Sequence, residues 1–125
     1  MGDIIYKDES YTIIGICMEV HRELGIGFNE IVYKDALEIE FKNKEIPYVR
    51  EKGFQAMYKG NPLKDRAFYV DFFVYDKIIL EIKAKNAIVE EHLQQTLNYT
   101  ACAKQRLGIC VNFGALSLDY KRLII

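Results

Sequence analysis

Hydrophobic positions change their spacing along the chain, and the changes mark out its elements. Ile13, Ile14, Cys17, Val20 and Leu24 recur at helical spacing with Glu19, Arg22 and Glu23 off the stripe, which predicts a helix from about Glu9 to Leu24. Gly25 and Gly27 stop it. Asn29 is a favourable N-cap for a second helix reaching about Asn43, with Ile31, Val32, Ala36, Leu37 and Phe41 as its apolar side. Beyond Pro47 the period shortens. Tyr48 to Tyr58 alternates in part, placing Phe54, Ala56 and Tyr58 on one side of a strand, and Lys59-Gly60-Asn61-Pro62 reads as a turn. Two almost wholly apolar runs follow, Phe68 to Tyr75 and Ile78 to Ala84, and their composition predicts central strands covered on both faces. Asn86 caps a predicted third helix to about Lys104, with Ile88, Val89, Leu93, Leu97 and Ala101 inward. Leu107 to Phe113 is a fourth strand, and Lys121 to Ile125 is a candidate fifth. The order is α-α-β-β-β-α-β, with or without a last strand. A helix between the third and fourth strands implies a crossover, so an α/β domain with a mixed sheet of four to five strands is expected.

Composition fits one domain spanning residues 1–125. A chain of 125 residues buries roughly two thirds of the surface its unfolded form exposes, and half of this one is apolar with only two prolines. No Gly/Ser/Pro tract suggests a linker. No apolar run approaches the roughly 20 residues of a membrane span, and the stretch from Met1 to Glu9 is polar and acidic, unlike a signal peptide, so no membrane association is expected. Cys17, Cys102 and Cys110 are odd in number and lack CxxC spacing, which predicts free buried thiols and a cytoplasmic location. His21 and His92 have no second ligand at metal spacing, which argues against zinc. The formal net charge of −1 separates the chain from strongly basic nucleic-acid binders and predicts modest affinity for nucleic acid on its own.

Charge inside the two apolar runs carries the chemistry. Asp71 lies in the first, and Glu81-Ile82-Lys83 closes the second. Carboxylates in such runs are costly unless paired or holding a cation. Glu81 and Lys83 share a face of their strand. A two-residue turn at Asp76-Lys77 would set Asp71 opposite Ile82, on the other face from Glu81. A three-residue loop, Tyr75-Asp76-Lys77, sets Val74 opposite Ile78 and Asp71 opposite Glu81. The second register is predicted. In it the two carboxylates, with a backbone carbonyl (that of Ile82), can take Mg²⁺ or Mn²⁺, and Lys83 can serve the water that attacks a phosphodiester. The plainer reading is an ordinary ion pair of Glu81 and Lys83 on a solvated face.

The segment Gly27-Phe28-Asn29-Glu30-Ile31-Val32-Tyr33 resembles the motif of the GxxExxY proteins, a bacterial and archaeal group within the PD-(D/E)XK nuclease-like superfamily. The likeness runs from about His21 to Ile124 and includes Asp71, Glu81-Ile82-Lys83-Ala84, the Gln95 to Tyr99 spacing, Val111-Asn112-Phe113 and Lys121-Arg122. It implies a restriction-endonuclease-like core and a metal-dependent nuclease. Asp71 and Glu81 would be metal ligands, Lys83 the catalytic lysine, Glu30 a further helical carboxylate on the metal, and Gln95 a neighbour of the active site. Tyr33 and Tyr99 would stand behind them. Val70 occupies the place of the proline in the superfamily's name. The implied substrate is nucleic acid, with DNA favoured over RNA. So small a core suggests a homodimer or a protein partner. A non-catalytic binding or assembly module that keeps the fold is the alternative.

Overall fold

The computed structural model describes residues 4–125, so the first three residues of the polar N-terminal stretch lie outside the described part. Its elements are α1 (Lys7–Leu24), α2 (Glu30–Asn43), β1 (Tyr48–Tyr58), β2 (Asn61–Val74), β3 (Ile78–Lys83), α3 (Glu90–Cys102), β4 (Leu107–Asn112) and β5 (Asp119–Ile124). The five strands form one sheet in sequence order, β1-β2-β3-β4-β5. β3 and β4 run parallel, joined by the α3 crossover, and the other neighbours are antiparallel. The sheet is therefore mixed, as the helix between the third and fourth strands requires. No helix among the described residues is long and apolar enough to cross a membrane.

Helices cover both faces of the sheet, which explains the unbroken hydrophobicity of its centre. α1 and α2 contribute Ile13, Cys17, Leu37 and Phe41 to a core shared with Phe72, Leu80, Ile82 and Ile109. A smaller cluster of Val70, Phe73, Ile79 and Ala103 lies on the α3 side, with Tyr99 against it. α1 ends where Gly25 takes a left-handed φ of 72° and its N–H bonds to the carbonyl of His21, a conformation that a side chain disfavours.

Several local expectations change. α2 buries Leu37 and Phe41 as predicted, but Ile31 is 56% exposed and Tyr33 is buried in its place at the start of the helix. The Tyr33 ring stacks on Phe113 at 4.7 Å, and that large aromatic contact fixes the helix rotation. Asn61 and Pro62 belong to β2 rather than to the turn, because Lys59 and Gly60 alone, both at positive φ, close the hairpin. The resulting arm is exposed through Ala67, so it shows no apolar alternation in the sequence. α3 starts at Glu90 with Val89 as N-cap, not at Asn86. Its buried residues are Thr96 and Thr100 rather than an aliphatic stripe, and Ala101 is exposed. The threonine hydroxyls donate to the His92 and Thr96 carbonyls, which removes the cost of burying them. A methyl group on Gly108 would collide with Thr100 Oγ1, so a glycine in β4 is what lets this helix approach. Cys17 and Cys110 are buried free thiols, whereas Cys102, at the solvent side of α3, is exposed.

Candidate functional site

β2 and β3 separate beyond Phe72 and Leu80, and two carboxylates fill the split. The pairs Val74–Ile78, Phe73–Ile79 and Phe72–Leu80 set the register that the three-residue loop predicts, with Tyr75 and Asp76 both left-handed in that loop. One step further, Asp71 faces Glu81. Side chains replace the backbone ladder there. Asp71 N–H donates to Glu81 Oε2 at 2.7 Å, and Ile82 N–H donates to Asp71 Oδ2 at 2.7 Å. Each carboxylate is thus held by the other's strand, which fixes both on rigid elements.

Glu81 is only 3% exposed. Burial, and then the charge of Asp71, push its pKa up to about 8, against the pull of the Asp71 N–H, Lys83 and Lys34. A buried carboxyl in this state favours its proton until a cation or another positive group compensates its charge. Tyr99 is stacked on Phe68 at 4.8 Å, and burial followed by the charges of Glu81 and Asp71 raises its pKa, which places it beside the pair.

Lys83 is two residues beyond Glu81 on the α3 side, and its ammonium donates to Gln95 Oε1 at 3.4 Å. The crossover helix therefore carries Gln95 to the strand end bearing Lys83. Just past that end, Asn112 clamps the chain. Its Oδ1 accepts from the N–H groups of Lys85 and Gly114, its Nδ2 donates to the Lys85 carbonyl, and Phe113 N–H donates to the Lys83 carbonyl. This fully buried amide in an apolar strand was the available sequence signal for the clamp.

Other expected residues stand further off. Glu30 opens α2 and lines a cavity of about 420 Å³ with Asn29, Ile31, Lys34, Ala84 and Lys85, next to the end of β3. Among the described residues no three acidic, histidine or cysteine side chains gather closely enough to hold a metal, so Glu30 does not close on Asp71 and Glu81 in this structure. The Tyr33 hydroxyl turns to the loop before α2, donating to the Gly25 carbonyl at 2.6 Å and accepting from Phe28 N–H at 3.4 Å. It fastens the loop that starts α2, and its ring belongs to the core.

The sequence reading overlooked Lys34. One turn after Glu30, its ammonium bonds Asp71 Oδ1 at 3.1 Å and Glu51 Oε1 at 2.9 Å. Arg50 reaches Asp35 and Glu38, and Tyr48 donates to Glu38, so the polar side of α2 is tied to β1 next to the site. The Glu30 to Lys34 spacing on one helix face was the only hint. A lysine there reads as solvated unless the strand carrying Asp71 is known to pass beneath it.

The donor set fits a hard divalent cation. Asp71 and Glu81 offer carboxylate oxygens side by side, and two adjacent carboxylates with so little water around them need positive charge.

Known proteins share this fold. The structure resembles that of an alkaline exonuclease from Laribacter hongkongensis, with a TM-score of 0.52 at 13% identity over 99% of this chain and 72% of that one. At that identity the likeness concerns the fold. No curated protein matches the chain. The family model of the PD-(D/E)XK nuclease superfamily matches residues 7–123, a span holding the split strands, both carboxylates, Lys83 and the crossover helix. This chain belongs to the PD-(D/E)XK nuclease superfamily.

Proposed function

We propose that this protein is a Mg²⁺- or Mn²⁺-dependent nuclease that hydrolyses phosphodiester bonds of nucleic acid, DNA rather than RNA, and that it is one of the GxxExxY proteins of its superfamily. The mutual bonding of Asp71 and Glu81 at the β2–β3 split carries the reading, since it brings two carboxylates together beside Lys83. Asp71, Glu81 and the Ile82 carbonyl would hold the cation, with Glu30 joining from the neighbouring cavity. A bound divalent ion supplies Lewis acidity toward a phosphoryl oxygen and lowers the pKa of water. The Lys83 ammonium, steadied by Gln95, orients the attacking water and offsets the negative charge that grows on the phosphoryl oxygens. Asn112 keeps the Lys83 end of β3 in place, and Tyr99 closes the α3 side of the pair.

Two features bear on how the enzyme meets its substrate. The formal net charge is −1 and the domain is small, so a homodimer or a partner protein is the proposed means of gripping a duplex. The free cysteines fit a reducing cytoplasm, the proposed location. A second reading, a binding or assembly module without catalysis, draws on one observation: Lys34 already neutralises part of the carboxylate pair.

Incubation of single- and double-stranded DNA and RNA with Mn²⁺ decides between them. Cleavage that Glu81→Gln lowers by about a hundredfold or more supports the nuclease. No cleavage of any substrate, with no stabilisation of the fold by millimolar Mn²⁺, favours the module.

A further inference from the structure

Lys34 places a positive charge against the carboxylates of the site. Its ammonium lies between two carboxylates, Asp71 Oδ1 at 3.1 Å and Glu51 Oε1 at 2.9 Å, and its side chain is 14% exposed. The register of β1 with β2 sets Glu51 directly opposite Asp71, since Arg50 pairs with Phe72 and Lys52 with Val70. Glu51 itself stands outside that ladder and takes a left-handed backbone at φ 55°, a conformation costly for a residue with a side chain. Glu51, Asp71 and Glu81 thus stand in one row across three strands, with Lys34 over the first two. The two partners differ in surroundings. Glu51 is half-exposed at 53%, whereas Asp71 is 17% exposed and bonded into the split beside Glu81.

Asp71 Oδ2 already accepts from Ile82 N–H, which leaves Oδ1, the oxygen that Lys34 occupies, for a cation shared with Glu81. Two positive centres on one carboxylate oxygen repel strongly at such separations. Resting on the metal reading above, we infer that Lys34 is the internal counter-ion of the carboxylate pair, and that divalent-cation binding displaces its ammonium from Asp71 onto Glu51. Lys34 thereby sets cation affinity. It keeps Asp71 in place while no cation is bound, and Glu51 is the acceptor that makes its release easy. Lys34 touches neither Lys83 nor Gln95 in this structure, so its effect is on the carboxylates and not on the attacking water.

Calorimetric titration of the full chain with Mn²⁺, without nucleic acid, tests the exchange apart from activity. Lys34→Gln should tighten the dissociation constant by about tenfold, the scale expected for removing one charge from a partly screened site. Lys34→Arg, which keeps the charge, should stay near wild type. Glu51→Gln should weaken binding severalfold, and that effect should shrink in the Lys34→Gln background, because Glu51 acts through the lysine. Mn²⁺ binding that Lys34→Gln leaves unchanged or weakens overturns the exchange while the metal reading stands. No Mn²⁺ binding by any variant overturns the metal reading, and the exchange with it.

Discussion

Glu81 shows most directly how one residue's surroundings decide its chemistry. The same side chain on a solvated strand would ionise near 4.5, and here burial and Asp71 push it to about 8. Below pH 4.5 the folded and unfolded chains both hold this proton. Between about 4.5 and 8 the unfolded chain releases it while the folded one retains it, so the contribution of Glu81 to stability falls as pH rises through that window and levels off above it. Glu81→Gln removes the titrating group. Thermal unfolding without divalent ions, followed from pH 5 to 9, should show wild type losing stability relative to the variant as pH increases. Parallel curves would contradict the raised pKa. Acid-x-Lys spacing alone could not reveal this, because an ordinary exposed ion pair has the same sequence. The apolar run around Glu81 supplied the physical clue, and the loop length at Tyr75-Asp76-Lys77 decided the geometry. Lys34 escaped notice for the opposite reason: its partners are 17 and 37 residues away, and nothing local distinguishes it from a surface lysine.

Elements are legible in this chain to the degree that their faces differ. α1, β1, β3 and β4 follow the periodicity of their apolar residues closely. The outer half of β2 is exposed on both faces and looks like turn. α3 misleads because its buried positions are threonines that satisfy their own hydroxyls, opposite a glycine that leaves them space. Its start is displaced because the preceding segment is committed to Asn112, whose amide takes both backbone groups of Lys85. Meanwhile Val89 N–H donates to His92 Nδ1, making that histidine a capping group. Asn112→Ala leaves the Lys85 N–H and carbonyl and the Gly114 N–H without their partner. It should cost about 1–3 kcal/mol in chemical denaturation. It should also loosen hydrogen-exchange protection at Phe113 more than at Leu80. An unchanged midpoint would show that the β3 exit does not depend on the clamp.

At the scale of the whole molecule, strand order and the single parallel pair bring the chemistry to one place. A meander would put α3 elsewhere. The crossover lays it against β3 and β4, so that Gln95 and Tyr99 reach the strand end carrying Glu81 and Lys83, while α2 brings Glu30 and Lys34 near the same edge from the opposite layer. The mixed five-stranded architecture was readable from element order, since a helix between two neighbouring strands implies parallel pairing. The expected convergence of three acidic groups is not found among the described residues. Two of them meet through the strand register, and Glu30 depends on how α2 rotates, which the stacking of Tyr33 on Phe113 decides.

The account stands on the carboxylate pair of the split strands holding a divalent ion. A crystal soaked in Mn²⁺ and measured for anomalous scattering tests this directly. The predicted result is a peak within coordination distance, about 2.0–2.3 Å, of oxygens from both Asp71 and Glu81. A crystal saturated with Mn²⁺ that shows no peak between these two side chains would contradict it.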